Sequence, residues 1–363
     1  MRRRTLRVAI LALVTVVWPA AATPAQDARR ASGPPTLDLY FVDVEGGQST
    51  LVVTPSGETL LVDTGFPGTG TFQSLPGPPD DARDAQRILA AMHDAGVTAI
   101  DYVLITHFHA DHVGGVPELA RLIPIRTFID HGEVAPDAER QVPGTLAAFN
   151  AYATVRARGR HLEPKPGDRL PLKGVDAVVV SSAASTIASP LPGGGAKNPA
   201  CGTSTIATPD VENPRSTGVR LEFGNFRFID LGDLSGNPLF ALFCPNDLLG
   251  AASVLLVPHH GGADVADPAM SGAVGPRVAI LNNGPTKGGA AQTLAALRRV
   301  QGIGDVWQVH RSENRDAQNF ADERIANLDS TTDHWIKVSA RADGSFVVTN
   351  ARTGESKTYA ASK

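Results

Sequence analysis

The sequence predicts an α/β fold in which two mixed sheets pack face to face and helices cover their outer faces. Apolar runs with the length and composition of strands alternate with segments of helical periodicity along the chain. Polar residues that could bind a ligand stand repeatedly where such a strand ends. Two runs of strands and helices of comparable length follow one another, and each sheet must bury an apolar face. With 363 residues, 42% of them hydrophobic, the chain can build the core that this fold requires.

The first residues predict an export signal. Three arginines at 2–4 precede an apolar run at 8–18, and small residues suited to cleavage follow up to Ala25. The run is shorter than the roughly 20 residues that a permanent transmembrane helix needs. We therefore expect 1–25 to be a signal peptide of the Sec or the twin-arginine type and 26–36 to be a linker. The mature protein is then expected in the periplasm or outside the cell, without a membrane span.

The mature chain begins with three predicted strands, at 37–44, 49–53 and 59–62. The third ends in Asp63 beside a glycine, a position from which a carboxylate can hold a neighbouring ligand in place. The Gly- and Pro-rich segment at 66–80 predicts a loop near the same strand ends, where loops often shape a substrate entrance. The periodicity further predicts helices at 82–95, 116–122 and 143–156 and a strand at 125–129.

An apolar run leads into residues 106–115, which read Thr-His-Phe-His-Ala-Asp-His-Val-Gly-Gly. His107 and His109 are alternate residues of an extended chain, so their imidazoles point to one side and can bind one ion. Asp111 and His112 follow at a distance suited to a second ion. Imidazole and carboxylate ligands in one cluster are typical of zinc and similar metals. The spacing therefore predicts a metal centre.

The second half of the chain predicts further strands with polar residues at their ends. Asp233 follows one predicted strand, and His259 and His260 follow the most strand-like apolar run of this half. The segment at 183–212 is rich in Ala, Gly, Ser, Thr and Pro, which predicts a flexible insertion. Strands are predicted at 173–181, 218–223, 226–229, 253–257, 277–281, 305–309, 334–338 and 346–348, and a helix is predicted at 292–300.

Three other polar residues stand at or just after strand ends in this half. They are Asn283, Lys287 and His310, and each is a candidate for binding an anionic substrate. An ordinary role in a turn or at the surface is the alternative for all three.

Charge and cysteine content narrow the possible functions. The net charge of -4 and the lack of a long basic run predict no strong nucleic-acid binding. Cys201 and Cys244 are the only cysteines, and they either form one disulfide in an oxidising compartment or remain unpaired. Neither has the spacing of a structural zinc site, and the sequence does not indicate an oligomeric state.

The order of these motifs resembles that of the metallo-β-lactamase-fold hydrolases. Residues 106–115 match the family's Thr-His-x-His-x-Asp-His-x-Gly-Gly signature. Asp63 with the following Thr-Gly resembles the first motif of the family, and Asp233 resembles its metal-bridging aspartate. The pair His259 and His260 resembles the last ligand motif.

Within this family the chain looks most like the hydrolase domain of the competence-related ComEC/Rec2 proteins and their exported relatives. The likeness rests on the segments at 43–49, 213–216 and 259–261. It implies an αββα sandwich that forms a single domain at 37–351, followed by a tail at 352–363.

The resemblance also implies a ligand set for two metal ions, with zinc expected in both positions. The first ion would be bound by His107, His109 and the bridging Asp233. The second would be bound by Asp111, His112, Asp233 and one histidine of the later pair, for which we favour His260.

Three residues would act beside the metal ions if the resemblance holds. Asp111 would orient the attacking water as well as bind metal, Asp63 would hold the ligands in place, and His259 would touch the substrate. The chain departs from the family in one respect, because many members have a further histidine ahead of the bridging aspartate and none occurs here from 162 to 258. This is either a character of the ComEC/Rec2-like branch or a sign of weak occupancy at one site.

The implied activity is hydrolysis of a small-molecule or polymer ester by a metal-activated water. The ComEC/Rec2-like features favour phosphodiesters. Because the same fold serves many activities, a lactam, lactone or thioester hydrolase is the first alternative. A secreted metal-containing binding protein without turnover is the second.

Overall fold

The computed structural model describes residues 34–203 and 210–361 and contains two nine-stranded sheets. The predicted signal peptide at 1–25, most of the linker at 26–36 and part of the insertion at 183–212 lie outside the described residues. Within the described part, no helix is long and apolar enough to cross a membrane.

The first sheet joins strands from the beginning and the end of the chain. Its strands are β1 (Leu37–Phe41), β2 (Thr50–Val53), β3 (Thr59–Val62), β4 (Ile100–Leu104), β5 (Ile125–Ile129), β6 (Arg160–Leu162), β16 (Ile336–Ala340), β17 (Phe346–Asn350) and β18 (Ser356–Tyr359). Their order is β18-β17-β16-β1-β2-β3-β4-β5-β6. Strands β3 to β6 pair in parallel, which brings their carboxyl ends to one edge.

The second sheet is formed by the middle of the chain. Its strands are β7 (Arg169–Leu170), β8 (Asp176–Ser182), β9 (Ser185–Thr186), β10 (Gly218–Phe223), β11 (Phe226–Asp230), β12 (Val254–Leu256), β13 (Val278–Leu281), β14 (Asp305–His310) and β15 (Ile325–Asn327). The order is β15-β14-β13-β12-β11-β10-β8-β7, with β9 paired to β8. Strands β11 to β15 run in parallel, so their carboxyl ends also share an edge.

Helices lie on the outer faces of both sheets. They are α1 (Arg83–Ala95), α2 (Ala110–Val113), α3 (Val116–Leu122), α4 (Ala138–Gln141), α5 (Thr145–Arg156), α6 (Gly236–Phe243), α7 (Pro268–Val274) and α8 (Ala291–Arg299). The predicted helix at 143–156 begins two residues later, because Gly144 has a left-handed φ of 96°. Helix α1 ends at Gly96, whose φ of 69° gives the left-handed turn that commonly closes a helix.

Three apolar layers hold the molecule together. The central layer lies between the sheets, where the buried rings of Phe41 in β1 and Phe228 in β11 meet edge to face at 5.7 Å. A second layer lies between the first sheet and helices that include α1, α3 and α5. A third lies between the second sheet and α6 and α7. This arrangement confirms the predicted αββα sandwich, because each sheet buries one face on the other sheet and one face on helices.

The described part of the predicted insertion at 183–212 packs against α6. Cys201 forms a disulfide with Cys244 at the end of this helix, with a Cα separation of 5.7 Å. Asn198 Nδ2 donates hydrogen bonds to the carbonyl oxygens of Phe243 and Ala269, at 3.0 and 2.9 Å. Of the two alternatives left open for the cysteines, the structure therefore has the disulfide.

Asp230, at the end of β11, is a buried carboxyl group in an amide environment. It accepts hydrogen bonds from Gln48 Nε2 at 3.0 and 3.2 Å and from the backbone N–H of Gly232 at 3.0 Å. Burial raises its pKa to about 7. Between about pH 4 and about pH 7, Asp230 in the folded protein therefore retains its proton. In an unfolded chain, where the pKa of an aspartate is about 3.9, that proton has been released.

We expect the metal-free protein to lose stability as the pH rises from about 4 towards about 7, because proton binding by folded Asp230 favours the folded state below its own pKa. Asp230→Asn cannot ionise and should flatten this decline by up to about 1.4 kcal/mol per pH unit. Urea unfolding across this range, in the presence of a chelator, measures the effect. Asp80→Asn, at an exposed position, is the control. An unchanged slope in Asp230→Asn would contradict the expectation.

Candidate metal centre

The six predicted metal ligands come together where the carboxyl edges of the two sheets meet. Four of them follow β4, Asp233 follows β11, and His260 follows β12. Each is at most 6% exposed. The parallel pairing around β4 and around β11 and β12 explains the convergence, since polar groups at several strand ends reach one place. The six are His107, His109, Asp111, His112, Asp233 and His260.

Asp233 is the centre of the cluster. Its Oδ2 lies 3.2 Å from Nε2 of both His112 and His260, 3.6 Å from His259 Nε2 and 3.9 Å from His107 Nε2. Its Oδ1 is buried and has no hydrogen-bond partner among the described residues. Burial opposes ionisation of Asp233, but the surrounding imidazoles hold its pKa well below the usual range. A carboxylate with one shared and one free oxygen suits a bridge between two ions.

Four of these side chains form a group that could hold a metal ion, and they are the ligands predicted for the second ion. Ligand atoms of Asp111, His112, Asp233 and His260 lie within 4.8 Å of one another. Asp111 Oδ2 is 3.2 Å from His112 Nε2 and 3.3 Å from His260 Nε2. Two imidazole nitrogens and two carboxylates are a donor set that zinc binds in tetrahedral sites. The residues at this position therefore fit a zinc-type ion.

The alternate histidines His107 and His109, predicted to bind the first ion, lie side by side. His107 Nε2 lies 2.9 Å from His109 Nδ1, so the two nitrogens face each other as a pair of ligand atoms. The other nitrogen of His109, Nε2, lies 3.9 Å from Asp210 Oδ1. Burial, and then the neighbouring His112 and His109, keep the pKa of His107 well below its ordinary value. A neutral imidazole is the form that binds metal.

Asp63 accepts hydrogen bonds from two residues of the histidine motif, His112 and Thr106. Its Oδ2 accepts a hydrogen bond from His112 Nδ1 at 2.7 Å, which leaves His112 Nε2 free to face the metal position. The backbone N–H and the hydroxyl of Thr106 also donate to this carboxylate, each at 2.8 Å. Asp63 is fully buried and has a left-handed φ of 59°. Asp63 therefore contacts both a predicted ligand and the residue that begins the histidine motif.

His259 and His260 lie in a strained turn. Both have left-handed φ values, 49° and 53°, and each such non-glycine conformation costs about 1–3 kcal/mol. The turn is held by hydrogen bonds from His259 N to Gly232 O at 3.0 Å and from Gly289 N to His260 O at 2.8 Å. His260 is buried, whereas 28% of the His259 side chain is exposed. These hydrogen bonds hold the strained backbone in the conformation that turns both imidazole rings towards Asp233.

Of the three predicted substrate residues, the structure brings Lys287 to the centre. Its Nζ lies 2.5 Å from Asp111 Oδ2, and its side chain is 28% exposed. Asn283 and His310 are fully buried. Asn283 Nδ2 donates to the carbonyl oxygen of His310 at 2.8 Å and to that of Gly284 at 3.0 Å. Asn283 therefore ties the loop that carries Lys287 to the backbone of His310, and neither side chain lies on an open face.

The loop predicted at 66–80 forms an apolar rim beside Lys287. Phe72 and Leu75 are 41% and 74% exposed, and the Lys287 ammonium lies 5.8 Å from the Phe72 ring centre. Glu118 fixes the loop, because its carboxylate accepts the backbone N–H groups of Gly68 and Gly77. The rim is thus anchored to helix α3, which directly follows the histidine motif.

Two acidic residues of the site escape prediction from the sequence. Glu212 accepts hydrogen bonds from Phe108 N at 3.3 Å and His131 Nε2 at 3.0 Å, and so holds the loop between the two ligand histidines. Asp264 Oδ2 lies 2.8 Å from His259 Nδ1. Glu212 ends a stretch of low-complexity composition, far in the sequence from any histidine, so no local signal indicates it. Asp264 follows the histidine pair within a few residues, which is the one signal that could have indicated it.

Comparisons with known proteins agree with this arrangement. The family model described as the metallo-beta-lactamase superfamily matches residues 42–266. The chain is 37% identical over 78 residues to an atrochrysone carboxyl ACP thioesterase of Aspergillus terreus, which covers 22% of this chain and 20% of the relative. It is 34% identical over 121 residues to a UPF0173 metal-dependent hydrolase of Cupriavidus necator, and the match covers 32% of this chain and 37% of the relative. It is 48% identical over 44 residues to a hydroxyacylglutathione hydrolase of Aliivibrio salmonicida, and the match covers 12% of this chain and 17% of the relative.

These three relatives are matched over less than two fifths of their own lengths. The family model, in contrast, spans more than half of the chain and includes the predicted metal ligands. The chain belongs to the metallo-β-lactamase superfamily.

Proposed function

We propose that the protein is an exported hydrolase that binds two zinc ions and cleaves phosphodiesters. The observation that carries this proposal is the convergence of four imidazoles on one carboxylate oxygen of Asp233, within 3.2 to 3.9 Å. Bound metal ions would supply a water activated near neutral pH and would stabilise charge on the attacked group. A merely structural site needs neither the free carboxylate oxygen nor the exposed edge at His259.

The residues of the chain divide the remaining work. His107 and His109 with Asp233 would hold one ion, and Asp111, His112, Asp233 and His260 would hold the other. Asp63 keeps His112 in the tautomer that presents Nε2. The carboxylates of the centre would bind their ions while ionised, which agrees with the lowered pKa of Asp111, where Lys287 and His112 outweigh burial.

The position of Lys287 is evidence that the substrate is an anion. Its ammonium group stands at the rim of the centre, partly exposed and in contact with the ligand Asp111. A phosphodiester carries one negative charge at neutral pH, which an ammonium group attracts. The likeness of the segments at 43–49 and 213–216 to ComEC/Rec2 proteins favours the same bond type.

A thioester is the second candidate substrate. Two of the similar proteins are a thioesterase and a hydroxyacylglutathione hydrolase. The exposed Phe72 and Leu75 offer an apolar surface beside the centre, suited to an acyl group.

Export is part of the proposal. The disulfide between Cys201 and Cys244 supports an oxidising compartment, since such bonds are rare in the reducing cytosol. The apolar and basic composition at 1–25 supports a signal peptide. We propose a small-molecule or polymer ester as the partner, and the net charge of -4 argues against a general affinity for nucleic acid.

The test is hydrolysis of bis(p-nitrophenyl) phosphate by residues 26–363 loaded with zinc, with and without a chelator. We expect turnover that the chelator removes and that His107→Ala/His109→Ala lacks. His93→Ala, at an exposed position on α1, is the control and should keep its activity. Fully metallated protein that cleaves an acyl thioester but no phosphodiester would favour the second candidate. Absence of turnover by fully metallated protein on phosphodiester, thioester, lactam and lactone substrates would indicate a metal-containing binding protein.

A further inference from the structure

We propose that His259 supplies the third imidazole of the first metal ion, in place of the histidine that the chain lacks. This inference rests on the two-ion centre of the proposed function. It assigns His259 a role as metal ligand, in contrast to the substrate contact expected from the sequence.

The space beside the first metal position is bordered by the segment in which the missing histidine would be expected. No histidine occurs between His161 and His259. Thr217 N donates to Thr106 O at 2.8 Å, so this segment runs next to the histidine motif. Asn213, which is 3% exposed, places its Nδ2 3.4 Å from His259 Nε2. His259 therefore lies against the segment that carries no imidazole.

The orientation of His259 is that of a metal ligand. Its Nδ1 lies 2.8 Å from Asp264 Oδ2, which leaves Nε2 as the inward-facing nitrogen. Histidines that bind metals usually donate their other N–H to a carboxylate or carbonyl group. His259 Nε2 lies 3.6 Å from the same Asp233 oxygen that lies 3.9 Å from His107 Nε2. His259 and His107 thus approach the same oxygen of the carboxylate that would bridge the two ions.

The backbone supplies an independent argument. Successive side chains of an extended strand point to opposite faces. His259 and His260 nevertheless both place Nε2 within 3.6 Å of Asp233 Oδ2, and both have left-handed φ values. The strand alternation does not apply in this left-handed turn, which continues at Gly261 with a φ of 74°. The conformation instead brings two consecutive imidazoles to one carboxylate.

The test is metal content and cobalt(II) binding. Metal-free wild type, His259→Ala, His259→Gln and Asp264→Asn are titrated with cobalt(II), and bound metal is counted after dialysis. We expect two tight ions in the wild type and one in both His259 variants, with a changed visible spectrum. Asp264→Asn should retain two ions, one of them bound about 10- to 100-fold more weakly. His93→Ala and Asp80→Asn, at exposed positions, are controls for lost histidine and lost carboxylate.

The outcomes separate this inference from the proposed function. Two ions of unchanged affinity and spectrum in both His259 variants, or fewer than two ions in the wild type, would overturn it. Wild type that binds two ions but hydrolyses no ester would overturn the proposed function and leave the ligand assignment standing. Circular dichroism of the metal-free variants shows whether any loss of metal comes from unfolding.

Discussion

Asp233→Ala is expected to reduce hydrolysis at least about 1,000-fold, equivalent to about 4 kcal/mol of transition-state stabilisation. The Nε2 atoms of His107, His112 and His260 all lie within 3.9 Å of Asp233 Oδ2. Asp233 Oδ1 has no hydrogen-bond partner among the described residues. In the proposed two-ion centre, removal of this carboxylate would take one ligand from each ion. It would also remove a buried negative charge that balances the charge of the bound cations.

The measurement is a rate assay on the substrate that the wild type cleaves, combined with metal analysis of the same preparations. Asp233→Asn tests charge at nearly constant shape, and we expect it to lose most of the activity as well. Asp80→Ala controls for removal of an exposed carboxylate. Activity within tenfold of the wild type in Asp233→Ala would show that this residue does not bridge two catalytic ions.

Asp63→Ala is expected to lower the free energy of unfolding by about 3–5 kcal/mol, as is typical when one partner of a buried ionic pair is removed. The carboxylate accepts hydrogen bonds from His112 Nδ1 and from two groups of Thr106, and all three residues are fully buried. The alanine removes the buried acceptor that these three donors share. We also expect metal affinity to fall about 10- to 100-fold, because His112 loses the group that orients it.

Urea unfolding of the metal-free protein and zinc titration of the folded protein measure the two effects separately. Asp63→Asn keeps an oxygen for Thr106 but presents an amide group to His112 Nδ1, so we expect it to regain part of the stability and little of the affinity. Full metal affinity in Asp63→Ala would contradict the orienting role of this carboxylate.

The elements near the centre follow from local sequence. The apolar runs at 59–62 and ahead of residues 106–115 predict buried strands, in which the side-chain period is two residues. The i, i+2 spacing of His107 and His109 brings two imidazoles together for the same reason. The helix predicted at 143–156 begins at Thr145, because the left-handed φ of Gly144 interrupts the helical backbone. Short, polar strands such as Arg160–Leu162 and Ser356–Tyr359 lack a local pattern and exist through pairing with neighbours.

The sequence by itself determined the sandwich, the four clustered ligands of the histidine motif and the strand ends that carry Asp233 and the later histidine pair. Only the tertiary structure decided which more distant residues join them. Lys287 meets Asp111 although 176 positions separate them, whereas Asn283 and His310, which have equally suitable positions in the sequence, are fully buried. The pairing of Cys201 with Cys244 and the contact of Asp264 with His259 were likewise undetermined by residue type. The physical reason is that ligand pairs at short spacing are set by backbone periodicity, while contacts between the two sheets depend on how their edges meet.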